Sequence, residues 1–475
     1  MTTRDTNSAR DMVFCIGCGA GFSGDRLDVA EPVVDTLIKL GQPAAIMFET
    51  LAERTLALAQ LARHRDPEHG YEPKLRELIE PILGKCVQHR IPIIGNFGAA
   101  NPAAAARLIA KCGRELGLPP FQIAVIEGDD IRAELTPEQW EIAESDTSLQ
   151  VDWTQVIAAN VYLGSLEIAD ALRYGALVVV SGRVADPALA LGPLLWHFNW
   201  AMDDWNRLAA GTLAGHLLEC GSQVSGGYFA DPGLKDVPDM ATIGFPIAQV
   251  SNNGEILLSK AHNTGGLVNA QTVKEQLLYE IHDPSAYLTP DVILDITAVT
   301  VTEIGPDQVQ IRGARGKPCP PSLKATLSFG SGWLGEGEIS YAGPNALARA
   351  QLAARVLRER IALRKLAVRY RIDLIGVASV HDSDDGALLN SLPAELDHND
   401  VRVRLAAATT DKAQAEAVAR EVLALYCDGP SGGGGARWQV TQRINTQSYL
   451  VPREQVKTQI SYLNAYHNQQ EGPYE

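Results

Sequence analysis

The sequence predicts an α/β protein: a mostly parallel open sheet with helices on both faces, then a C-terminal α+β segment with antiparallel strands. Three observations carry this expectation. Short apolar runs alternate with helix-patterned stretches up to about residue 200. The pattern changes after about residue 235 to strands with period-2 alternation and close turns. Between the first strand and the first helix lies a glycine-rich loop, Gly17 to Arg26.

Taken in order, Met12 to Ile16, Pro43 to Phe48, Ile91 to Ile94, Phe121 to Ile126 and Ala176 to Val180 read as buried strands. Their near-continuous apolar character is what a sheet covered on both faces requires. Ala30 to Leu40, Leu51 to Arg63, Tyr71 to His89, Pro102 to Leu116 and Val161 to Tyr174 read as helices. Asn101-Pro102 offers an N-cap followed by proline at the first helical position.

In the second half, Val292 to Glu303 and Val309 to Arg312 read as strands joined by the Gly305-Pro306-Asp307 turn. Leu323 to Phe329 and Glu336 to Tyr341 read as a second pair. The helix Pro344 to Ala362, strands Leu374 to Val380 and Val401 to Ala407, the helix Lys412 to Tyr426 and a strand near Trp438 to Arg443 follow. Two domains are expected, an α/β domain over 10–235 and an α+β domain over 236–475.

Composition limits the functions available. A net charge of −16 argues against a nucleic-acid partner, which needs clustered Lys and Arg. Met1 to Arg10 is polar, without the apolar stretch of a secretory signal. No apolar run reaches the roughly 18 to 20 residues needed to cross a bilayer. Seven scattered cysteines do not form a disulfide framework, and they suit a reducing cytosol. The expectation is a cytoplasmic protein with no membrane contact.

Chemistry concentrates at the strand ends. Gly19 to Gly24 satisfies G-x-G-x-x-G after a strand, and Glu49 ends the next strand where a dinucleotide fold places its ribose-binding acid. Missing side chains let backbone N–H groups approach an anion, so Gly19, Gly21, Ser23, Gly24, Asp25 and Arg26 form a candidate anion loop. Asp25, Arg26 and Asp28 follow the last glycine, with Pro32 beyond, so the helix starts late, unlike a nicotinamide loop. A tight turn needing positive φ is the plain structural alternative. Cys15-x-x-Cys18 suggests a redox or metal pair, weakened by the absence of a second such motif.

Glu49, Glu53 and Arg54 follow strand two, Asn96 and Asn101 strand three, and Glu127, Asp129 and Asp130 strand four. Ligands in open parallel sheets bind at these carboxyl ends. Arg183 and Asp186, in Gly182-Arg183-Val184-Ala185-Asp186, can pair with each other or clamp a carboxylate. His216 and Glu219 share one face if His216 to Cys220 ends a helix, and together they make a proton-transfer pair. A metal at His216, Glu219 and Cys220 lacks the usual spacing, and no metal is expected. His262-Asn263-Thr264-Gly265-Gly266 and Asp428 to Gly435 read as loops, the second as a lid or plain connection.

These segments resemble the acyclic terpene utilisation AtuA family. The resemblance rests on GCGAGFSGDR at 17–26, FETLAERTLALAQ at 48–60, GNFGAANP at 95–102, SGRVADPALALGPL at 181–194 and AGHLLECGSQVSGGYFADPG at 214–233. HNTGG at 262–266, SYAGPNA at 340–346 and DGPSGGGG at 428–435 extend it over nearly the whole chain. The founding member is encoded beside enzymes that degrade citronellol and geraniol through branched acyl-CoA intermediates. The resemblance therefore implies a catabolic setting, but no assigned catalytic residues. Relatives with an extra C-terminal domain imply a separately encoded small subunit for a chain of this length.

Three readings stay open. One is a lyase or hydratase acting on a small or branched carboxylate or its CoA thioester. Here the glycine loop, Arg26 and Arg183 bind the anion, with Glu49, Asn96 and Asn101 beside it. His216 with Glu219, or Glu53, then moves a proton, with Asp186 beside Arg183. The second is an NAD(P)-dependent oxidoreductase, and the third a non-catalytic subunit that needs a small partner protein. A homo-oligomer is expected, and the sequence names no cofactor with certainty.

Overall fold

A computed structural model of the chain describes residues 13–133, 141–142, 151–383, 386–391 and 399–466. The polar Met1 to Arg10 stretch lies outside the described residues. Two compact units emerge: Met1–Gln150 with Ile157–Ser328 and Thr446–Glu475, and Val151–Val156 with Phe329–Asn445.

The first unit is built on a ten-stranded mixed sheet. Its strands are β1 (Val13–Ala20), β2 (Ala44–Phe48), β3 (Ile93–Gly95), β4 (Gln122–Glu127), β5 (Val178–Ser181), β6 (Pro246–Ser251), β7 (Ile256–Lys260), β8 (Thr300–Gly305), β9 (Gln308–Arg312) and β10 (Gln459–Asn464). They lie in the order β8-β9-β7-β6-β1-β2-β3-β5-β4-β10. The five central strands, β1, β2, β3, β5 and β4, pair in parallel, as the apolar runs predict. Both edges are antiparallel: β6 pairs β1, and β10 pairs β4. The change of pattern near residue 235 thus marks a switch in strand direction inside this sheet, since β6 to β9 extend it.

The helices of this unit are α1 (Ala30–Leu40), α2 (Glu53–Arg65), α3 (Leu75–His89), α4 (Pro102–Glu115), α5 (Leu166–Arg173), α6 (Ala188–Phe198), α7 (Trp205–Glu219) and α8 (Ala270–Leu278). Helix α1 buries Val33, Val34 and Leu37 and ends at Gly41, whose φ of 65° makes a left-handed cap. Helix α7 is buried continuously from Leu208 to Glu219, so its last turn carries polar side chains into the interior. The expected helix over 161–174 starts only at Leu166, because Val156–Val161 is a buried strand that pairs with the start of Ser322–Ala342.

The second unit is an antiparallel sheet with two main helices, α9 (Ala346–Leu363) and α10 (Lys412–Asp428). Arg369–Ile375 pairs with Asp400–Thr409, which pairs with Ser322–Ala342. Ile339, Tyr341, Leu357, Leu374, Val403, Leu405, Val418 and Val422 form its buried core.

Two expectations fail here. The pair expected at 323–329 and 336–341 is one 21-residue strand, Ser322–Ala342. Its Gly330-Ser331-Gly332 step resembles a turn, but Gly332 adopts φ 96° against the Thr409 carbonyl, where a Cβ would sit 2.4 Å from the oxygen. Glycine there kinks a strand instead of ending it. The glycines from Gly433 to Gly435 are likewise no lid, because they open the strand Gly433–Pro452.

Candidate functional site

The carboxyl ends of β2, β3 and β5, the start of α2 and the end of α7 bring Glu49, Glu53, Asn96, Arg183, Asp186, His216 and Glu219 together. At the centre is Arg183, whose side chain is 2% exposed. Its Nε and Nη2 donate to the Val184 carbonyl at 2.9 and 2.8 Å, Nη1 donates to the Leu51 carbonyl, and Nη2 also bonds Asp186. The guanidinium carbon lies 4.5 Å from the centre of the Tyr162 ring, a cation–π contact. Burial works against the charge, but Asp186, Tyr162, Glu49 and Glu53 outweigh it and keep the guanidinium protonated.

Asp186, Glu49 and Glu53 lie within electrostatic range of this cation, and Glu219 lies within range of Asp186 and Glu49. Glu49 is 8% exposed, and its Oε1 accepts from Leu51 N at 2.8 Å and Asn96 Nδ2 at 3.0 Å. The Asn96 amide oxygen in turn accepts from Thr50 N at 2.8 Å, which fixes its orientation. Burial pushes the Glu49 carboxyl above its ordinary range, against the pull of Arg183 and Asn96. Asp186 is pushed well above its ordinary value by burial and by Glu49, Glu219 and Glu53, with Arg183 opposing. Its side chain is nevertheless 34% exposed. That exposure, with the 37% of Glu53, makes these two the carboxyls of the group that an incoming molecule meets.

Glu53 opens α2 and accepts from the Tyr162 hydroxyl at 2.5 Å, with Lys324 Nζ 3.8 Å away. Burial raises its pKa, but Tyr162, Arg183 and Lys324 outweigh that and hold it below the ordinary range. Tyr162 and Lys324 were not foreseen: Tyr162 follows the overlooked strand Val156–Val161, and Lys324 is far away in sequence. Asp129, expected only as one of the polar residues after strand four, holds a positioning role. Its Oδ2 accepts from Arg183 N and from Asn160 Nδ2, both at 2.8 Å, and burial raises its pKa to about 6.

His216 and Glu219 form the expected pair. The Nδ1–H of His216 donates to Glu219 Oε1 at 2.8 Å, and both side chains are buried, 1% and 7% exposed. Burial opposes the imidazolium, but the Glu219 charge and hydrogen bond outweigh it and raise the His216 pKa. Nε2 of His216 and Oε2 of Glu219 are buried without a hydrogen-bond partner. Such orphaned groups mark a place for a water, proton or ligand.

The glycine loop does something different from an open anion cradle. Gly19, Gly21 and Gly24 all lack positive φ, so the tight-turn alternative does not apply to them. Gly21 instead allows a close approach, since a Cβ there would lie 2.4 Å from Gly221 N and 2.5 Å from Cys220 C. A Cβ on Gly19 would meet the Phe48 ring. The Gly21 N–H donates to Asp25 Oδ2 at 2.8 Å, so the loop's own carboxylate takes that donor.

Ser23 donates to Glu72 at 2.6 Å, and Arg26 bonds Asp28 at 2.9 Å and the Ile243 carbonyl at 3.2 Å. Both are thus engaged with partners outside the carboxylate group. Asn101 caps α4 through Ala104 N and ties down the Pro67 and His69 carbonyls, each at 2.8 Å. Cys15, Cys18 and Cys220 are free, with thiol pKa values raised by burial, Cys15 to about 12. Buried thiols of this kind are poor redox centres and nucleophiles. Among the described residues, no group of three His, Cys, Asp or Glu side chains is arranged to hold a metal.

Fold and site define a class: an open α/β-sheet protein with a crowded acid group, one arginine and a buried His–Glu pair at its strand ends. The model of the family described as acyclic terpene utilisation family protein AtuA matches residues 14–462. The chain belongs to that family, as its motifs led one to expect. Among curated proteins and among solved structures, none matches the chain. No helix of the described residues is long and apolar enough to cross a membrane.

Proposed function

We propose that this chain is a cytosolic catabolic enzyme, a lyase or hydratase that moves a proton at the carbon beside the carbonyl of a small or branched carboxylate or its CoA thioester. The observation that carries the reading is the buried His216–Glu219 pair, with Nε2 unpartnered and Glu219 within electrostatic range of the partly exposed Asp186. His216 Nε2 takes the α-proton, while Glu219 holds the tautomer and stabilises the imidazolium. The electron pair left behind forms the Cα–Cβ double bond. The β-hydroxyl leaves as water after taking a proton from Asp186, whose raised pKa suits an acid. Hydration runs the same steps backwards.

Arg183 serves this site mainly from beneath, because its Nε, Nη1 and Nη2 already donate within the protein. It holds Asp186 in position, and its charge offsets that of the surrounding carboxylates. Dinucleotide binding has less support: Asp25 takes the Gly21 N–H, α1 starts only at Ala30, and the Glu49 carboxylate is bound to Leu51 and Asn96. We also place the protein in homo-oligomers, with a small separately encoded subunit as the partner if the purified chain is inert.

The test is exchange of the α-hydrogen in D2O, followed by NMR, on branched 2-enoyl and 3-hydroxyacyl compounds as free acids and CoA thioesters. His216→Gln and Asp186→Asn should each lower exchange by roughly 100-fold or more, as loss of a general acid or base does. If both variants stay within about threefold of wild type, these residues do not carry the proton.

A further inference from the structure

Beyond the end of β4 lies a cavity of about 700 Å³. That is a ligand-sized volume. It is bordered by Arg63, Arg132 and Lys457, with Glu127 and Asp130 as opposing charges. Three cations around one cavity stand out on a chain of net charge −16. Asp130 is already engaged: Oδ2 accepts from Gln60 Nε2 at 3.0 Å, and Oδ1 from Arg132 N at 3.2 Å. Arg63 and Arg132 are each braced by one backbone carbonyl, Ala100 at 2.6 Å and Ile157 at 3.3 Å. Their remaining N–H groups are left to a ligand. Gly128 adopts φ 113°, and a Cβ there would lie 2.2 Å from the Lys457 carbonyl, so glycine lets these two segments close the wall.

This cavity adjoins the acid group in two ways. One loop borders both places: Asp129 accepts from Arg183 N, while the next residue, Asp130, lines the cavity. Helix α2 also runs between them, with Glu53 at its start in the acid group and Arg63 near its end at the cavity. Ten residues of helix rise about 15 Å. That separation is comparable to an extended pantetheine arm. We propose that the cavity seats the phosphorylated end of a coenzyme A-type thioester whose acyl end reaches Asp186. This rests on the proton-transfer reading above and narrows its substrate class from free acids to thioesters.

The test is calorimetry on the full chain with 3′,5′-ADP, with CoA and with inorganic phosphate. The first two should bind, inorganic phosphate much more weakly. Lys457→Glu and Arg132→Glu should each weaken 3′,5′-ADP binding by about tenfold or more. Asp186→Asn should leave it within about threefold, because that residue lies at the other end of the ligand. No heat with either nucleotide at millimolar concentration overturns the proposal, as does binding indifferent to both charge reversals. Turnover of free acids without nucleotide binding would sink the cavity's role and leave the proton-transfer reading standing. Nucleotide binding with no α-hydrogen exchange would do the reverse.

Discussion

Asp129 shows how a residue with no visible motif can govern the site. Its carboxyl is raised to about 6 by burial, above its ordinary value, so between those two values the folded chain binds more protons than the unfolded chain. Its contribution is therefore full at acidic pH and is lost as pH rises through about 6, by up to about 3 kcal/mol. Asp129→Asn keeps an acceptor for Arg183 N and Asn160 but cannot ionise. Its stability relative to wild type should rise between pH 5 and pH 7.5 in urea titrations. A constant difference across that range would show that Asp129 ionises normally. The strand-end rule found Glu49, Asn96, Arg183 and Asp186, because each follows an apolar run by a residue or a few. Tyr162 and Lys324 were hidden, because nothing local marks a partner that arrives from another strand.

At the scale of elements, the glycine-rich loop reads differently once its neighbours are known. Its pattern suggested backbone open to an anion, and the structure shows backbone packed on the turn that follows α7. Gly21→Ala should cost about 1 to 3 kcal/mol in denaturant unfolding, because its Cβ would meet main-chain atoms of Cys220 and Gly221 that cannot rotate aside. Gly24→Ala should stay within about 0.5 kcal/mol, since the atoms nearest its Cβ belong to the Phe22 ring, which is 58% exposed and free to swing. Equal costs at the two positions would contradict this account. The same blindness to neighbours splits Ser322–Ala342 into two strands, 323–329 and 336–341. A glycine step reads alike whether a chain reverses or a strand merely bends around a facing carbonyl.

For the whole molecule, the parallel centre of the sheet was legible and its edges were not. Buried parallel strands announce themselves by unbroken apolar runs such as Val178–Ser181. Edge pairing depends on which distant segment arrives, and Gln459–Asn464 is only partly buried, with a mixed pattern. That strand nevertheless pairs with β4 along all of Gln122–Glu127, and the Ala465 carbonyl accepts from Arg114 at 2.6 Å. Ending the chain before Lys457 should expose the apolar β4 edge and lower Tm. It should also cause concentration-dependent aggregation in light scattering. An unchanged Tm with no aggregation would mean that this edge needs no cover.

The acid group also has a thermodynamic consequence. Glu49, Asp186 and Glu53 share one guanidinium with Glu219 close to two of them, and Glu49 and Asp186 hold their protons above the ordinary range. A free carboxylic acid bound there as a probe adds one more negative charge, so its arrival draws a proton from the buffer. The group then works as a proton reservoir, and affinity for an acid falls as pH rises. Binding heats measured at one pH in buffers of different ionisation enthalpy should fall on a line whose slope counts the protons taken up. A slope of zero would mean that the group is already neutralised before any ligand comes.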